Sequence, residues 1–153
     1  MEIYQATMKD LDAIVNLFNM YRTFYQQTQD LDGAELFIKS RLEKEDSVIF
    51  VAKSNHEYVG FTQLYPTFSS ISMKRAWILN DMFVDANARN QGVAGKLLQK
   101  AKEFASETGA KSITLETTPD NEAAQGLYEK NGYKKDNQFY HYYLELTEAE
   151  ESS

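Results

Sequence analysis

The most constraining feature of this chain is a strand-like run that ends at Val84 and leads through a polar turn into an amphipathic helix. The helix opens on small residues between Gly92 and Gly95, and Arg89 and Lys96 flank this start with positive charge. Its apolar side chains recur on one face at helical spacing: Val93, Leu97, Ala101, Phe104 and Ala105. Because such a start leaves N–H groups open at the positive helix end, the turn is suited to phosphate. An ordinary tight connection between a strand and a helix is the alternative.

Two familiar phosphate-binding loops do not fit this turn. A Walker loop requires a glycine five residues before the Gly-Lys glycine and Ser or Thr after the lysine, and Asn90 and Leu97 occupy those places. The dinucleotide fingerprint requires Gly-x-Gly-x-x-Gly after a first strand, and this loop offers only Gly92-x-x-Gly95 deep in the chain. The Walker interpretation of the turn therefore fails, and the dinucleotide interpretation is weak.

Composition narrows the chemistry that the chain can carry. With no cysteine and only two histidines, we expect no disulfide, no cysteine nucleophile, no Ser-His-Asp triad and no metal site. The net charge of −7 argues against nucleic-acid binding and suits a cationic substrate, although solubility alone also explains it. No apolar run is long enough to span a membrane and no leader is evident, so we expect a cytoplasmic protein without membrane contact.

Hydrophobic periodicity predicts one domain over residues 1–147 and an acidic, frayed tail over residues 148–153. Strands are predicted at Glu2–Ala6, Ser47–Lys53, Tyr58–Tyr65, Ala76–Val84, Lys111–Thr118, Tyr133–Lys135 and Phe139–Leu146. Four helices are predicted: Thr7–Tyr25, Gly33–Leu42, Gly92–Glu107 and Asn121–Lys130. Thr7 is the predicted cap of the first helix, and Asp10 completes a capping box with it. The fold class is α/β (α+β), with a mixed, mostly antiparallel seven-stranded sheet flanked by about four helices.

Two positions inside the predicted strands break the apolar pattern. Asn80 and Asp81 interrupt the run from Ala76 to Val84, and burying an unpaired carboxylate is costly. Either the strand separates from a neighbour there, or the pair faces a site. Gly60 lies inside another strand and predicts a bulge or a close backbone approach.

Two aromatic stretches each have two interpretations. The end of the first helix could line an acceptor pocket or belong to the core: Tyr21, Phe24 and Tyr25. The last predicted strand either packs alternate residues inward or is covered by pairing in a homodimer: Phe139, Tyr140, Tyr142 and Tyr143.

One predicted strand separates two motifs, Arg89-x-x-Gly92-x-Ala94 and a longer one from Asn121 to Tyr133. Together they resemble motifs of the GNAT superfamily of N-acetyltransferases. Arg89-x-x-Gly92-x-Ala94 is similar to the loop that holds the pyrophosphate of acyl-CoA. Asn121-x-x-Ala124-x-x-Leu127-Tyr128-x-x-x-Gly132-Tyr133 is similar to the second signature of the superfamily. A shorter stretch, Leu79 to Val84, resembles the strand that enters this loop in the histone and polyamine acetyltransferase branch.

The resemblance implies a separated pair of central strands, Ala76–Val84 and Lys111–Thr118, with the pantetheine arm of acetyl-CoA between them. Strand-end backbone groups would pair with pantetheine amides, at Met82, Phe83 and Val84. The pyrophosphate would lie beside Arg89 on the N–H groups of Gln91, Gly92, Val93, Ala94, Gly95 and Lys96. Asn121 would hydrogen-bond the pantetheine, and Tyr128 would lie beside the thioester sulfur.

The absence of cysteine favours direct attack of an amine on the thioester rather than a covalent acyl-enzyme. A protonated alkylamine must first lose a proton, and a carboxylate can act as its general base. Glu116 is the leading candidate, because some relatives carry a catalytic glutamate at the same spacing before the asparagine. Asp81 is the second, although Asn80 stands where polyamine enzymes often carry a glutamate. Both could instead be structural or bind substrate, and Tyr128 could be the general acid or a core aromatic.

The resemblance therefore implies acetyl transfer to a primary amine, either a small cationic amine or a basic peptide. A non-catalytic acyl-CoA-binding sensor or adaptor with the same fold is the alternative from another functional class. An unrelated α/β domain with a chance loop is the third reading.

Overall fold

The structure is a computed structural model that describes residues 1–146. The predicted tail at residues 148–153 lies outside the described residues. The strands are β1 (Glu2–Gln5), β2 (Val48–Ser54), β3 (Glu57–Ser69), β4 (Lys74–Val84) and β5 (Ile113–Thr114). The helices are α1 (Leu11–Phe24), α2 (Leu31–Lys44), α3 (Val93–Glu107) and α4 (Glu122–Lys130). Short 3₁₀ turns cover Met8–Asp10 and Ala86–Ala88. Among these residues, none of the helices has the length and apolar character needed to cross a membrane.

The strands described within residues 1–146 form one sheet in the order β1-β2-β3-β4-β5. The first four strands pair antiparallel, whereas β4 and β5 pair parallel. A parallel neighbour requires a crossover connection, and α3 supplies it. The mixed, mostly antiparallel sheet and the four flanking α-helices are therefore confirmed.

The N-terminal half is built around a predicted cap. Thr7 and Asp10 form a capping box, in which the Thr7 hydroxyl oxygen accepts from the Lys9 N–H and the Thr7 N–H donates to Asp10 Oδ2 at 3.0 Å. The helices α1 and α2 then bury a core against one face of the sheet that includes Ile14 and Phe61. The predicted helix from Thr7 therefore begins as expected.

The opposite face of the sheet is covered by α3, which passes directly over Gly60. A Cβ atom at Gly60 would lie 2.9 Å from the Phe83 carbonyl oxygen and 3.2 Å from Val93 on α3. The pairing of β2 with β3 also shifts register beside Gly60, between Ala52 and Lys53. Both the predicted bulge and the predicted close approach are thus present.

The prediction of seven strands is wrong for the described residues, which contain five. Of the predicted strand Lys111–Thr118, only Ile113–Thr114 forms a strand, although Lys111 and Ser112 also make backbone hydrogen bonds to β4. Neither Tyr133–Lys135 nor Phe139–Leu146 forms a strand. A strand exists only where a neighbouring backbone accepts its hydrogen bonds. β4 turns away from β5 beyond Ile78, and residues 139–146 are exposed, without a neighbouring strand in the part of the chain that is described.

Candidate active site

The site lies where β4 and β5 separate. The parallel pairing consists of Trp77 with Ile113 and Ile78 with Thr114, and it ends there. On its other side β4 continues beside β3, with a register shift that leaves Asn80 as the extra residue of a bulge. The polar pair therefore marks the place where β4 leaves β5, as one of the two sequence interpretations predicted.

Asp81 is buried at this bulge, with 6% of its surface exposed, and its carboxylate is hydrogen-bonded. Gln63 Nε2 donates to Asp81 Oδ2 at 2.8 Å, and Asn80 Nδ2 donates to Oδ1 at 3.1 Å. The fully buried Gln63 is held in turn by the Ser47 hydroxyl, which donates to its Oε1 at 2.8 Å. These bonds compensate the burial of the carboxylate.

The pKa values of two tyrosines, Tyr21 and Tyr65, are raised in part by the charge of Asp81. Burial, and next the Asp81 carboxylate, holds the pKa of Tyr21 well above its usual value. The same two causes, in the same order, raise the pKa of Tyr65 to about 12. Both hydroxyls therefore remain protonated at neutral pH and are available to donate a hydrogen bond.

A groove of about 2020 Å³, which we call the β5 groove, runs beside β5 and brings several predicted site residues together. Met82 of β4, Glu116 beyond the end of β5, and Asn121 and Tyr128 of the α4 region all line it. Glu116 is exposed, and Asn121 is half-buried. Asp81 is not among the groove residues, although its chain neighbours Asn80 and Met82 are.

Tyr128 is held in a fixed orientation on the groove side of α4. Its ring meets the Tyr133 ring edge-on, with centroids 6.0 Å apart, and packs against the core cluster beneath α3. Burial, and next the neighbouring Tyr25, raises the pKa of Tyr128. A half-buried phenol that stays protonated and faces the groove can serve as a proton donor.

Asn121 caps α4 while facing the same groove. Its Oδ1 accepts the Ala124 N–H at 3.1 Å, which satisfies one of the open N–H groups at the start of the helix. The side-chain amide nitrogen is then left to donate to a ligand in the groove.

The end of β4 presents free backbone groups on the side that faces away from β3. The Asp85 N–H donates to the Val59 carbonyl at 2.8 Å, and alternation along the strand turns the Phe83 groups the same way. The N–H groups of Met82 and Val84 therefore point toward the opening between β4 and β5. The pairing of Met82, Phe83 and Val84 with pantetheine amides stays a prediction.

The start of α3 has the open N–H groups that the sequence predicted. Gly92 adopts a left-handed conformation, φ +78°, and caps the helix without a side-chain hydrogen bond. The first helical bond runs from the Lys96 N–H to the Gly92 carbonyl, so the N–H groups of Val93, Ala94 and Gly95 have no acceptor within the helix. Gln91, Gly92 and Lys96 are exposed.

Arg89 is anchored beside this helix start. Its Nε donates to the Val84 carbonyl at 3.2 Å, and its guanidinium lies 5.7 Å from the centre of the Phe24 ring. Phe24 and its neighbour Tyr25 are more than half exposed and line the β5 groove. The end of α1 thus contributes to the groove wall, whereas Tyr21 also contacts the core.

Sequence reasoning missed Gln63, Ser47 and Tyr65 as members of the site. The available signal was the polar pair Thr62-Gln63 within an apolar strand, which mirrors Asn80-Asp81 in the next strand. Two polar interruptions in consecutive antiparallel strands predict a mutual hydrogen bond when burial leaves each no other partner.

Comparison with known proteins shows which family this fold and site define. Residues 11–133 match the acetyltransferase (GNAT) family, and the chain belongs to it. It is similar to a protein of Bacillus subtilis (strain 168) named "uncharacterized N-acetyltransferase YhfO", with 55% identity over 95% of this chain and 98% of that protein. N-alpha-acetyltransferase 30 of Schizosaccharomyces pombe (strain 972) is 34% identical over 97% of this chain and 86% of its own length.

A solved structure described as a probable acetyltransferase shares the fold. It has a TM-score of 0.92 and 44% identity over 97% of this chain and 99% of its own. The protein is therefore an acetyltransferase of the GNAT family.

Proposed function

We propose that the protein transfers the acetyl group of acetyl-CoA directly to a primary amine, without a covalent acyl-enzyme. The observation that carries this proposal is the meeting of Glu116, Asn121 and Tyr128 in one groove beside the separated end of β4. Acetyl-CoA is the co-substrate of the family, and the open N–H groups after Gly92 fit its pyrophosphate. The open strand edge at Met82 and Val84 fits the pantetheine amides.

Glu116 and Tyr128 divide the proton transfers between them in this proposal. Glu116, directly or through a water, removes a proton from the ammonium group of the acceptor, whose nitrogen then attacks the thioester carbonyl carbon. The carbon–sulfur bond breaks, and Tyr128 donates its hydroxyl proton to the departing thiolate. The second proton of the attacking nitrogen passes through water to the Tyr128 phenolate as the amide forms, and the proton held by Glu116 is released to solvent. Asp81 is the second candidate base, but both of its carboxylate oxygens already accept hydrogen bonds inside the sheet.

The acceptor is a cationic amine, either a small molecule or a basic peptide. The net charge of −7 favours the approach of a cation. At the groove, the exposed rings of Phe24 and Tyr25 and the carboxylate of Glu116 offer cation–π and ionic contacts. Tyr21, a half-buried residue whose pKa is raised in part by the Asp81 carboxylate, also lines this groove.

An amine panel tests the proposal against a non-catalytic acyl-CoA sensor. Release of CoA thiol is followed with acetyl-CoA and polyamines, aminoglycosides, lysine peptides and peptides with free N-termini. We expect turnover with at least one cationic class, and acetyl-CoA should raise the melting temperature. Thermal protection without thiol release from any amine would assign the sensor function, and no protection at all would refute acyl-CoA binding.

A further inference from the structure

Tyr21 of α1 connects the buried Asp81 cluster with the β5 groove. It is half-buried and lines the groove together with Asn80 and Tyr128. The proton transfers assigned to Glu116 and Tyr128 do not use its hydroxyl. A phenol that lies beside both a ligand groove and a buried carboxylate is in a position to bind a substrate.

Strand alternation places Tyr21 next to Asp81. The Tyr21 ring lies 5.8 Å from the ring of Phe61 on β3 and 6.3 Å from that of Phe83 on β4, and these two residues are cross-strand partners. Side chains two positions apart share one face of a strand, so the partners Gln63 and Asp81 follow on the same face. Burial raises the pKa of Tyr21 most, and the charge of Asp81 and a hydrogen bond with it raise that pKa further.

The Tyr21 ring is held by its aromatic neighbours within α1 as well as by the sheet. It stacks on Phe18 with centroids 6.3 Å apart and meets Tyr25 edge-on at 5.2 Å. These contacts fix the ring orientation before any ligand arrives. A hydroxyl that is already positioned binds a ligand with little further loss of conformational entropy.

Asp81 supplies a negative charge that the groove lining itself does not provide in excess. Among the described residues, four lysines and four acidic residues line the groove, so their formal charges cancel. The Asp81 carboxylate lies behind this lining, buried beside Tyr21, and accepts hydrogen bonds from Gln63 and Asn80. A carboxylate has about four acceptor positions, so it can also accept from Tyr21. A charge that is shielded from water acts strongly on its neighbours.

We propose that the Tyr21 hydroxyl oxygen accepts a hydrogen bond from the ammonium group of the acceptor, while the hydroxyl proton is donated to Asp81. Tyr21 is then a substrate-binding residue, and Asp81 is a positioning residue that acts through it. An ammonium group has three N–H donors, so one bonds to Tyr21 while Glu116 removes another. This inference rests on the proposed acetyl transfer to a cationic amine and specifies how the cation is recognised.

Steady-state kinetics of Tyr21→Phe test the contact, because the change keeps the ring and its aromatic neighbours. The KM of the best amine should rise about 10- to 100-fold, the size of one hydrogen bond to a charged group. The kcat and the KM of acetyl-CoA should stay within about threefold, since the lost contact binds the amine before and during reaction alike. An unchanged amine KM would refute the contact.

Tyr58→Phe is the matched control for the loss of a hydroxyl beside a buried carboxylate. The Tyr58 hydroxyl donates to Asp10 Oδ1 at 2.6 Å, and neither residue lines the groove. This variant should lose stability but keep the amine KM of the natural chain. An equal rise of the amine KM in both variants would attribute the effect to destabilisation and refute the proposal.

The role of Asp81 is tested by combining two changes. Asp81→Asn alone should raise the amine KM, and adding Tyr21→Phe should raise it no further than the larger single change, because the carboxylate acts through the hydroxyl. Additive effects would show that Asp81 acts on the amine independently and would refute the relay. If Asp81→Asn does not fold, the alcohol analogue of the best amine serves as a competitive inhibitor instead. The preference for the amine over the alcohol should shrink at least about fivefold in Tyr21→Phe, and an unchanged preference would refute the relay.

Failure of the proposed function gives a different result from failure of this contact. Turnover with an unchanged amine KM in Tyr21→Phe refutes only the contact. If no amine of the panel releases CoA thiol, titration calorimetry of the same amines with the CoA-loaded protein replaces the kinetics. An affinity about 10- to 100-fold lower in Tyr21→Phe would then support recognition of the ammonium without catalysis. Absence of amine binding to the natural chain would refute both proposals.

Discussion

The side-chain amide of Gln63 donates to the carboxylate of Asp81 at 2.8 Å, joining two buried residues on adjacent strands at the point where β4 bulges. Neither side chain can reach water readily, because Gln63 is fully buried and Asp81 is 6% exposed. A buried hydrogen bond to a charged group stabilises its surroundings mainly because breaking it leaves the charge unpaired. The pair therefore holds β3 and β4 in register directly beside the groove.

A double-mutant cycle should reveal this coupling. Gln63→Leu leaves the carboxylate without its main donor and should lower the free energy of unfolding by about 3–5 kcal/mol. Asp81→Leu alone should also destabilise, whereas the double variant should lose less than the sum of the two changes. Urea unfolding gives the free energy of unfolding of the natural chain, the two single variants and the double variant. A separate change, Ser47→Ala, should lower that free energy by only about 0.5–1.5 kcal/mol. Strictly additive losses would contradict the coupling.

Replacement of Glu116 by Gln should lower kcat about 10²- to 10⁴-fold, because the groove would lose its proposed general base. Acetyl-CoA affinity should change little, since the substitution keeps the size of the side chain. Steady-state rates with the best amine, measured from acidic to alkaline pH, provide the check. Glu129→Gln is the matched control, because Glu129 lines the same groove. An unaltered pH profile in Glu116→Gln would make Glu116 a structural residue and leave Asp81 as the candidate.

Removal of the Tyr128 hydroxyl should lower kcat about 100-fold or more while leaving acetyl-CoA binding intact. Tyr128→Phe keeps the ring that packs on Tyr133, so the loss reports the proton donor alone. Because burial raises the pKa of Tyr128, the donor keeps its proton in alkaline solution up to pH values above the usual tyrosine pKa of about 10. The natural enzyme should therefore show no alkaline loss of this donor below that value. Full turnover of Tyr128→Phe at every pH would assign Tyr128 to the core.

The guanidinium of Arg89 should contribute to CoA binding through its charge. Arg89→Ala should raise the Kd for CoA about 10- to 100-fold, since a hydrogen bond to a charged group contributes about 1.5–3 kcal/mol. The effect should shrink as salt increases, because the site is exposed. Titration calorimetry with CoA at several salt concentrations measures both the Kd and its dependence on salt. Lys39→Ala removes an equal charge from α2 and should have no effect; an equal loss there would point to net charge rather than to the loop.

Stability should fall in acid through a second buried carboxylate, Asp10. Burial raises its pKa, but hydrogen bonds from the Tyr58 hydroxyl, the Thr7 N–H and the Tyr4 hydroxyl outweigh burial and hold the pKa below its usual value. A lowered folded-state pKa stabilises the protein above the unfolded-state pKa of about 3.9. That contribution is lost as the pH falls through the folded-state pKa.

Tyr58→Phe tests this contribution, because the Tyr58 hydroxyl donates to Asp10 Oδ1 at 2.6 Å. At neutral pH it should lower the free energy of unfolding by about 1.5–3 kcal/mol. The difference from the natural chain should narrow below the folded-state pKa of Asp10. Tyr25→Phe, at a half-exposed tyrosine, is the control. A loss that is the same at every pH would show that the hydroxyl acts only by packing.

Local chemistry explains how far the sequence predicted the fold. The Thr7–Asp10 cap and the phosphate-suited start at Gly92 each follow from residues within a few positions of one another. Such short-range features depend on side-chain type and backbone freedom, which the sequence states directly.

Features that depend on pairing between distant segments were predicted less well. The hydrogen bond from Gln63 to Asp81 requires the register of two strands, and periodicity does not specify register. Likewise, the residues from Phe139 to Leu146 have the composition of a strand, but composition does not specify which strand they would pair with. The groove residues Glu116 and Tyr128 came from motif resemblance rather than from pattern alone.

The short parallel contact between β4 and β5 is the part of the sheet that we expect to open first. It consists of two residue pairs, supported by the Trp77 indole, which donates to the Thr108 hydroxyl oxygen at 3.0 Å. The segment after α3 can therefore detach before the antiparallel strands do, and its amide hydrogens should exchange first. Trp77 is the only tryptophan in the chain, so its fluorescence is an intrinsic reporter of that opening.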